Sequence, residues 1–413
     1  MISSKADFLK TCLVFLFPLL MVYRLLVARG INLYLIWPIY FFTVYYGIYC
    51  YRRTIRNLGV NKSVKYWLIY VLLSIVSYIF SRSPIECYIS EIYVFILPVF
   101  FVFIGSYDND RQFYKWYVYA VIFCILVGLF LFIMQPPWYV KFLLDFRNSA
   151  WYSTSTYDSV YDIKFASFFG SSYAVSFFST FASCILISDI YTEKCKRIFN
   201  SRYIQFVFLA ICYIGALLCR HRVAIIFPPA MFAFYILKGV FKGDKNNFIV
   251  LLFFGVFIFV LSIIAERNSS TALFFVVEDV KNRFTEMTLE NAMEGSRTNQ
   301  NVDVLTSWDN IIFGDGLGSK NGGARQAGLP GITDGNFVKI LVENGVVGLL
   351  WFLIFVSKSL KKALLRKNKS TIEAWIILFM LFAMTGSNGL CIEFYYSAIF
   401  WYAIGKIWST KRI

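Results

Sequence analysis

Arg220, His221 and Arg222 stand in the run LLCRHRVAII, where two apolar stretches leave almost no chain for a turn. A guanidinium offers planar, paired donors that match phosphate oxygens. Two of them at the tip of an apolar hairpin suit a phosphoryl ligand or, in the plainer reading, lipid headgroups met by snorkelling side chains. A second constellation occupies 297–350. Arg297 opens it, and a short amphipathic pattern carrying Trp308 follows. Gly314, Gly316 and Gly318 then supply a tight turn that lets backbone approach a ligand closely. Asp334 precedes Gly335, Asn336 and Phe337 at the head of an apolar run. An aspartate there caps a helix, or binds or deprotonates a sugar hydroxyl. Lys339 and Glu343, four apart, have the spacing of a helical ion pair. Arginines, a glycine turn and a carboxylate at the mouth of an apolar run point to chemistry on a charged group held at a bilayer surface.

The same inventory excludes several chemistries. A Ser–His–Asp or Cys–His device would need His221, the single histidine, and no nucleophile motif adjoins it. No CxxC pair occurs and none of the nine cysteines falls in 136–166 or 267–334, so neither a disulfide framework nor structural zinc is expected. GDGLG follows no strand and is no dinucleotide fingerprint. No metal and no cofactor are expected. Glu86, Glu91 and Glu393 fall within apolar runs, where acids line a pathway or satisfy buried partners.

The elements that hold these residues must be membrane helices. The 413-residue chain is 59% hydrophobic and 20% aromatic with 15% charge, far from a soluble balance. Apolar runs near the roughly 20 residues a bilayer requires recur along the chain. They fall at 11–28, 31–50, 64–80, 85–106, 113–134, 168–188, 203–219, 223–240, 247–265, 336–357, 371–387 and 391–408. Lipid offers bare backbone no partner, so such runs are helices. The expected fold is an all-α, polytopic transmembrane bundle of about twelve spans, one membrane domain over 1–413 with two elaborated extracytoplasmic loops. In the first, 136–166, Pro136 and Pro137 stop the fifth span and the Ser/Thr/Tyr/Asp run reads as irregular. The second, 267–334, lies between spans nine and ten and is partly helical. Val277, Val280, Phe284 and Met287 share one face there, and Val302, Leu305, Trp308 and Ile312 suggest a second short helix. Glycine and proline make 314–335 a loop. Lys and Arg crowd 52–65, 194–202, 238–245 and 358–369, which puts both termini in the cytoplasm. The net charge of +16 is mostly this topology, and no nucleic-acid partner is expected.

In order and spacing these motifs resemble the O-antigen polymerase and O-antigen ligase superfamily of bacterial membrane glycosyltransferases. His221-Arg222-Val223-Ala224 is similar to an arginine motif that heads a span in that family, and the resemblance assigns the family arginine to Arg222. Arg297, Trp308 and Gly314/Gly316/Gly318 resemble its arginine, Trp-bearing helix and Gly-x-Gly-x-Gly turn. Glu343, Gly345 and Gly348 resemble its Glu-x-Gly-x-x-Gly signature, and KFASFFG (Lys164–Gly170) is similar to an Arg-bearing segment with Lys in its place. Asp334 stands where ligases generally carry histidine, which favours a polymerase over a ligase.

The resemblance implies an inverting, metal-independent polymerase at the outer face of the bacterial inner membrane. It would transfer a polyprenyl-pyrophosphate-linked glycan onto a lipid-linked repeat unit, in O-antigen or capsule synthesis. Arg222 and Arg297 would bind pyrophosphate with Arg220 in support, and Asp334 or His221 would be the base. Lys164, Trp308, Gly316, Gly318 and Asn336 would contact substrate. A membrane chain-length regulator is a further implied partner. A ligase that moves finished glycan to another acceptor is the alternative within the class. A flippase for lipid-linked sugars is the alternative outside it, and would call for inverted repeats and spans broken at mid-membrane; the sequence displays neither. Alkaline phosphatase fused after residue 290 should be active, and after residue 245 inactive, at equal expression. The reverse pattern would overturn the expected orientation.

Overall fold

The computed structural model describes residues 36–54, 58–80, 84–108, 112–147, 165–167, 172–192, 197–241, 310–320, 335–365, 371–386 and 394–409. Every regular element among them is a helix: α1 (Ile36–Thr54), α2 (Leu58–Ile79), α3 (Ile85–Tyr107), α4 (Gln112–Met134), α5 (Pro137–Arg147), α6 (Ser172–Ile190), α7 (Arg202–Leu218), α8 (Arg222–Val240), α9 (Asn336–Leu364), α10 (Thr371–Ala383) and α11 (Phe394–Ser409). Val60–Ile79 and the whole of α4, α6, α8 and α9 are long and apolar enough to cross a bilayer. The expected spans at 11–28 and 247–265, and the surface helix about 277–287, lie outside the described residues.

The expected loop 136–166 begins as a helix, and its Ser/Thr/Tyr/Asp run, expected to be irregular, lies outside the described residues. Pro137 opens α5, where a missing N–H goes unmissed. Tyr139 and Leu143, one turn apart, are buried while Trp138 is exposed.

The chain forms two compact units. In the first (Met1–Ile36 and Gln112–Met287), α6 packs against α4, α7 and α8. Nearly all of its side chains are buried, serines and threonine included. Several of those hydroxyls turn back on their own helix: Thr180 Oγ1 donates to the Ser176 carbonyl at 2.7 Å and Ser183 Oγ to that of Ser179 at 2.8 Å. Small polar side chains satisfied in this way permit close helix contact in an apolar bundle. Pro228 and Pro229 lie within α8. Pro229 has no N–H to give the Ile225 carbonyl four residues earlier, and the Tyr213 hydroxyl of α7 donates to that carbonyl at 3.3 Å.

The second unit comprises Trp37–Arg111 and Thr288–Ile413. Its closest seam joins α3 and α11 at two glycines. A Cβ on Gly105 would lie 2.1 Å from the Tyr402 carbonyl oxygen, and one on Gly405 would lie 2.1 Å from that of Val102. Backbone therefore touches backbone from both sides. One end of the seam is tied at Asp108, which accepts from the Tyr402 hydroxyl and, at its backbone carbonyl, from Lys406 Nζ. An aromatic cluster joins α2 to α11 and α9, with Trp67 4.3 Å from Trp401 and 6.4 Å from Phe355, ring to ring.

Tyr213→Phe removes the replacement donor at the α8 proline step. We expect a loss of about 1 kcal/mol, in the range of interhelical hydrogen bonds in membranes, read as a lower midpoint in detergent-driven unfolding. An unchanged midpoint would show that the Ile225 carbonyl has another donor.

Candidate functional site

In the first unit, α7 ends at Leu218 and α8 begins at Arg222, so Cys219, Arg220 and His221 make the entire corner. The near-absent turn read from the sequence is what forms. It demands a left-handed residue, and Arg220 takes that role at φ 55. A second stretch of chain closes on this corner. The Phe165 N–H donates to the Leu218 carbonyl at 3.2 Å, and His221 Nε2 lies 3.2 Å from Ser172 Oγ. The Tyr173 ring lies 4.4 Å from the imidazole.

Ser167 sits between these contacts at φ 50, its hydroxyl donating to the Cys124 carbonyl of α4 at 2.6 Å. Gly128 makes room for it: a Cβ there would lie 2.5 Å from Ser167 Cα. Non-glycine residues at positive φ cost about 1–3 kcal/mol each and gather at sites of function. Of the three among the described residues, two stand on these touching segments. The KFASFFG and LCRHRV motifs, some fifty residues apart in the chain (His221 and Ser172 are 49 apart), are thus neighbours. Arg222 is exposed at the first position of α8, and His221, at the N-cap, makes no side-chain capping bond.

The second unit holds the glycine turn, and its setting departs from expectation. Residues 314–335 read as a loop, and in the described part, which is turn, Gly314 and Gly316 to Lys320 are buried. The reason lies in α9. At Gly345 the backbone is at φ 68, ψ −178, which breaks the helix and corrects the expectation that no span is interrupted. Two helical hydrogen bonds are lost, from Val346 N–H to the Val342 carbonyl and from Val347 N–H to the Glu343 carbonyl. The turn replaces all four groups. Asp315 N–H donates to the Val342 carbonyl at 2.8 Å and Gly316 N–H to that of Glu343 at 3.0 Å. In return Val346 N–H donates to the Ile311 carbonyl at 3.0 Å and Val347 N–H to that of Ile312 at 3.4 Å. Ser77 Oγ of α2 also donates to the Glu343 carbonyl.

Chain can enter a broken helix only where side chains are missing. A Cβ on Gly345 would lie 2.0 Å from the Ile312 carbonyl oxygen, and one on Gly314 2.5 Å from the Glu343 carbonyl. Gly314, Gly316 and Gly318 lie at φ 82, 96 and 85. Asn310 caps the turn, its Oδ1 accepting from Phe313 N–H at 3.1 Å.

Beside this junction lies a buried ionic cluster. Lys339 Nζ is 3.2 Å from Glu91 Oε1 of α3 and 3.9 Å from Glu343 Oε1. The pairing of Lys339 with Glu343 expected from their spacing is present, with Glu91 as its nearer member. Lys320 donates its N–H to Glu343 Oε1 at 3.2 Å, and its ammonium lies 3.5 Å from Asp315 Oδ2. Lys339, Glu343 and Lys320 are at most 3% exposed and Glu91 is 7% exposed. Removing one member of such a pair costs about 3–5 kcal/mol, because the other charge is left buried.

Of the residues proposed from sequence, Arg220, His221 and Arg222 meet in the first unit, while Gly316, Gly318 and Asn336 belong to the second. Lys164, Arg297, Trp308 and Asp334 lie outside the described residues. The residue that caps α9 is Gly335, at φ 108, rather than Asp334. Sequence reasoning missed Ser172, Asp315, Lys320 and Ser77; only Lys320, two residues past the last turn glycine, carried a signal. Among the described residues no group of His, Cys, Asp and Glu is arranged to hold a metal ion. No protein-family model matches the chain, and no curated protein matches it.

Gly345→Ala places a Cβ against the Ile312 carbonyl at a left-handed φ, a strain of about 1–3 kcal/mol before the clash is counted. The detergent-solubilised variant should melt several degrees lower, whereas Gly386→Ala, with open space around it, should not. Equal melting of both variants would overturn the broken helix.

Proposed function

We propose that the chain is a polysaccharide polymerase that extends a polyprenyl-pyrophosphate-linked glycan onto a lipid-linked repeat at the outer face of a bacterial inner membrane. The observation that carries the reading is the meeting of the segment after Lys164 with the Arg220–His221–Arg222 corner, each held by a left-handed, non-glycine residue. It gathers two of the motifs on which the family resemblance rests. Breaking the anomeric C–O bond releases a pyrophosphate, already a good leaving group. Catalysis then needs cations for its growing charge and a fixed direction for the acceptor hydroxyl.

Arg222 is the proposed pyrophosphate ligand in the first unit, with Arg220 beside it; Arg297 is assigned the same ligand on sequence grounds. His221 and Asp334 are the proposed bases. The direct displacement inverts the anomeric carbon and calls for no metal. Ligase activity is the neighbouring reading, which loss of the gene would expose as finished but unattached polymer.

One observation favours transport, namely the break in α9, since transporters use broken helices at their binding sites. There the half-helix ends are left for the substrate. Here the Val342 and Glu343 carbonyls and the Val346 and Val347 N–H groups are taken up by the chain itself, so polymerase is preferred.

Each charge-assisted contact contributes about 1.5–3 kcal/mol, or roughly 10- to 150-fold in rate. Purified protein with a defined lipid-linked repeat should build a ladder of chain lengths, in chelator as well as without. Arg222→Ala should reduce that ladder by the stated factor. A full ladder from Arg222→Ala would exclude the assigned role, and single repeats accumulating on the inner leaflet after gene deletion would favour transport.

A further inference from the structure

Glycines cannot fix their own turn. Gly314, Gly316 and Gly318 have no side chains to pack or bond, so whatever holds residues 314–320 must reach in from elsewhere. Two carboxylates do so. Glu343 accepts the Lys320 N–H at 3.2 Å and also takes a backbone hydrogen bond from Gly318. Glu91 and Cys87 of α3 close on Gly318 from outside, where a Cβ would lie 2.2 Å from the Cys87 carbonyl oxygen and 3.2 Å from Glu91 Cγ.

Two buried acids in electrostatic reach of each other would drive this arrangement apart unless a cation stood with them. Lys339 is that cation, and its one ammonium reaches both, at 3.2 and 3.9 Å. The Lys320–Asp315 pair is internal to the turn and leaves the two glutamates to Lys339.

We propose that Glu91 and Lys339 are positioning residues for the glycine turn. Lys339 acts through Glu343: its charge holds that carboxylate as the acceptor to which the Gly318 and Lys320 amides are fastened. Glu91 anchors Lys339 and walls the turn at Gly318. Neither touches substrate, and the bearing of this device on polymerisation rests on the function proposed above. The placement of the turn does not.

Reporter cysteines at Leu317, in the turn, and at Ser397, in α11, are introduced singly into protein whose nine native cysteines have been replaced. Both positions are buried. The probe is a small water-soluble maleimide, added to membranes opened by freeze–thaw so that both faces are reached. Lys339→Met should label at position 317 at least about tenfold faster than the parent, a floor well below the full effect of removing one partner of a buried pair, with labelling at 397 unchanged. Glu343→Gln should do the same, whereas Lys339→Arg and the exchanged pair Glu91→Lys with Lys339→Glu should restore protection.

Unchanged labelling at 317 in Lys339→Met and Glu343→Gln overturns the proposal. So does equal acceleration at 317 and 397, which would mark general unfolding. If Lys339→Met does not accumulate, Lys339→Arg and the exchanged pair decide, and labelling of both at the rate of an unpaired Glu91→Gln control overturns it. Accelerated labelling in a protein that shows no ladder in any form leaves this proposal standing and removes the polymerase reading instead.

Discussion

A backbone N–H or carbonyl left bare in lipid costs several kcal/mol, and the second unit is built around a place where four would be bare. Gly345 turns left-handed in the body of α9, and the hydrogen bonds across it cannot form. Each of the freed groups needs a new partner. The chain must therefore bring its own backbone, and residues 310–316 supply two donors and two acceptors in the required order. Everything nearby follows from that delivery. Glycines appear where two backbones touch, a serine from α2 takes the second lone pair of the Glu343 carbonyl, and charges are buried only in company.

The first unit meets the same constraint on a smaller scale. Pro229 removes one N–H from α8, and a hydroxyl from α7 takes its place. Ser179, Thr180 and Ser183 of α6 bond to their own helix, so α4, α7 and α8 approach a core helix whose polar atoms are largely turned back on its own backbone. At the Arg220 corner the strain is spent differently. Two left-handed residues stand where two segments meet beside the His221 imidazole.

Much of this was legible in the sequence. Apolar runs marked the helices, the missing turn at 219–221 marked the hairpin, and four-residue spacing marked the Lys339–Glu343 pair. What failed did so for physical reasons. Gly-Asp-Gly-Leu-Gly-Ser-Lys has the composition of exposed loop, and composition does not say that a broken helix is waiting to receive it. A glycine inside an apolar run does not announce its φ, so Gly345 read as one letter of a motif. Two prolines after α4 read as the stop of a span, although the second is also a good helix start, as α5 demonstrates. The contact between 165–172 and 218–221 was beyond reach, since no periodicity links segments so far apart.

The two glycines where α3 and α11 meet carry a lesson for anyone recombining this chain with a related one. Gly105 and Gly405 each receive a carbonyl of the opposite helix, so neither surface is permissive without the other. A crossover placed anywhere between residues 108 and 394 would inherit the two halves of this fit from different parents. Unless both parents have glycine at both places, the resulting chimera would lose its innermost contact while every individual helix remained intact.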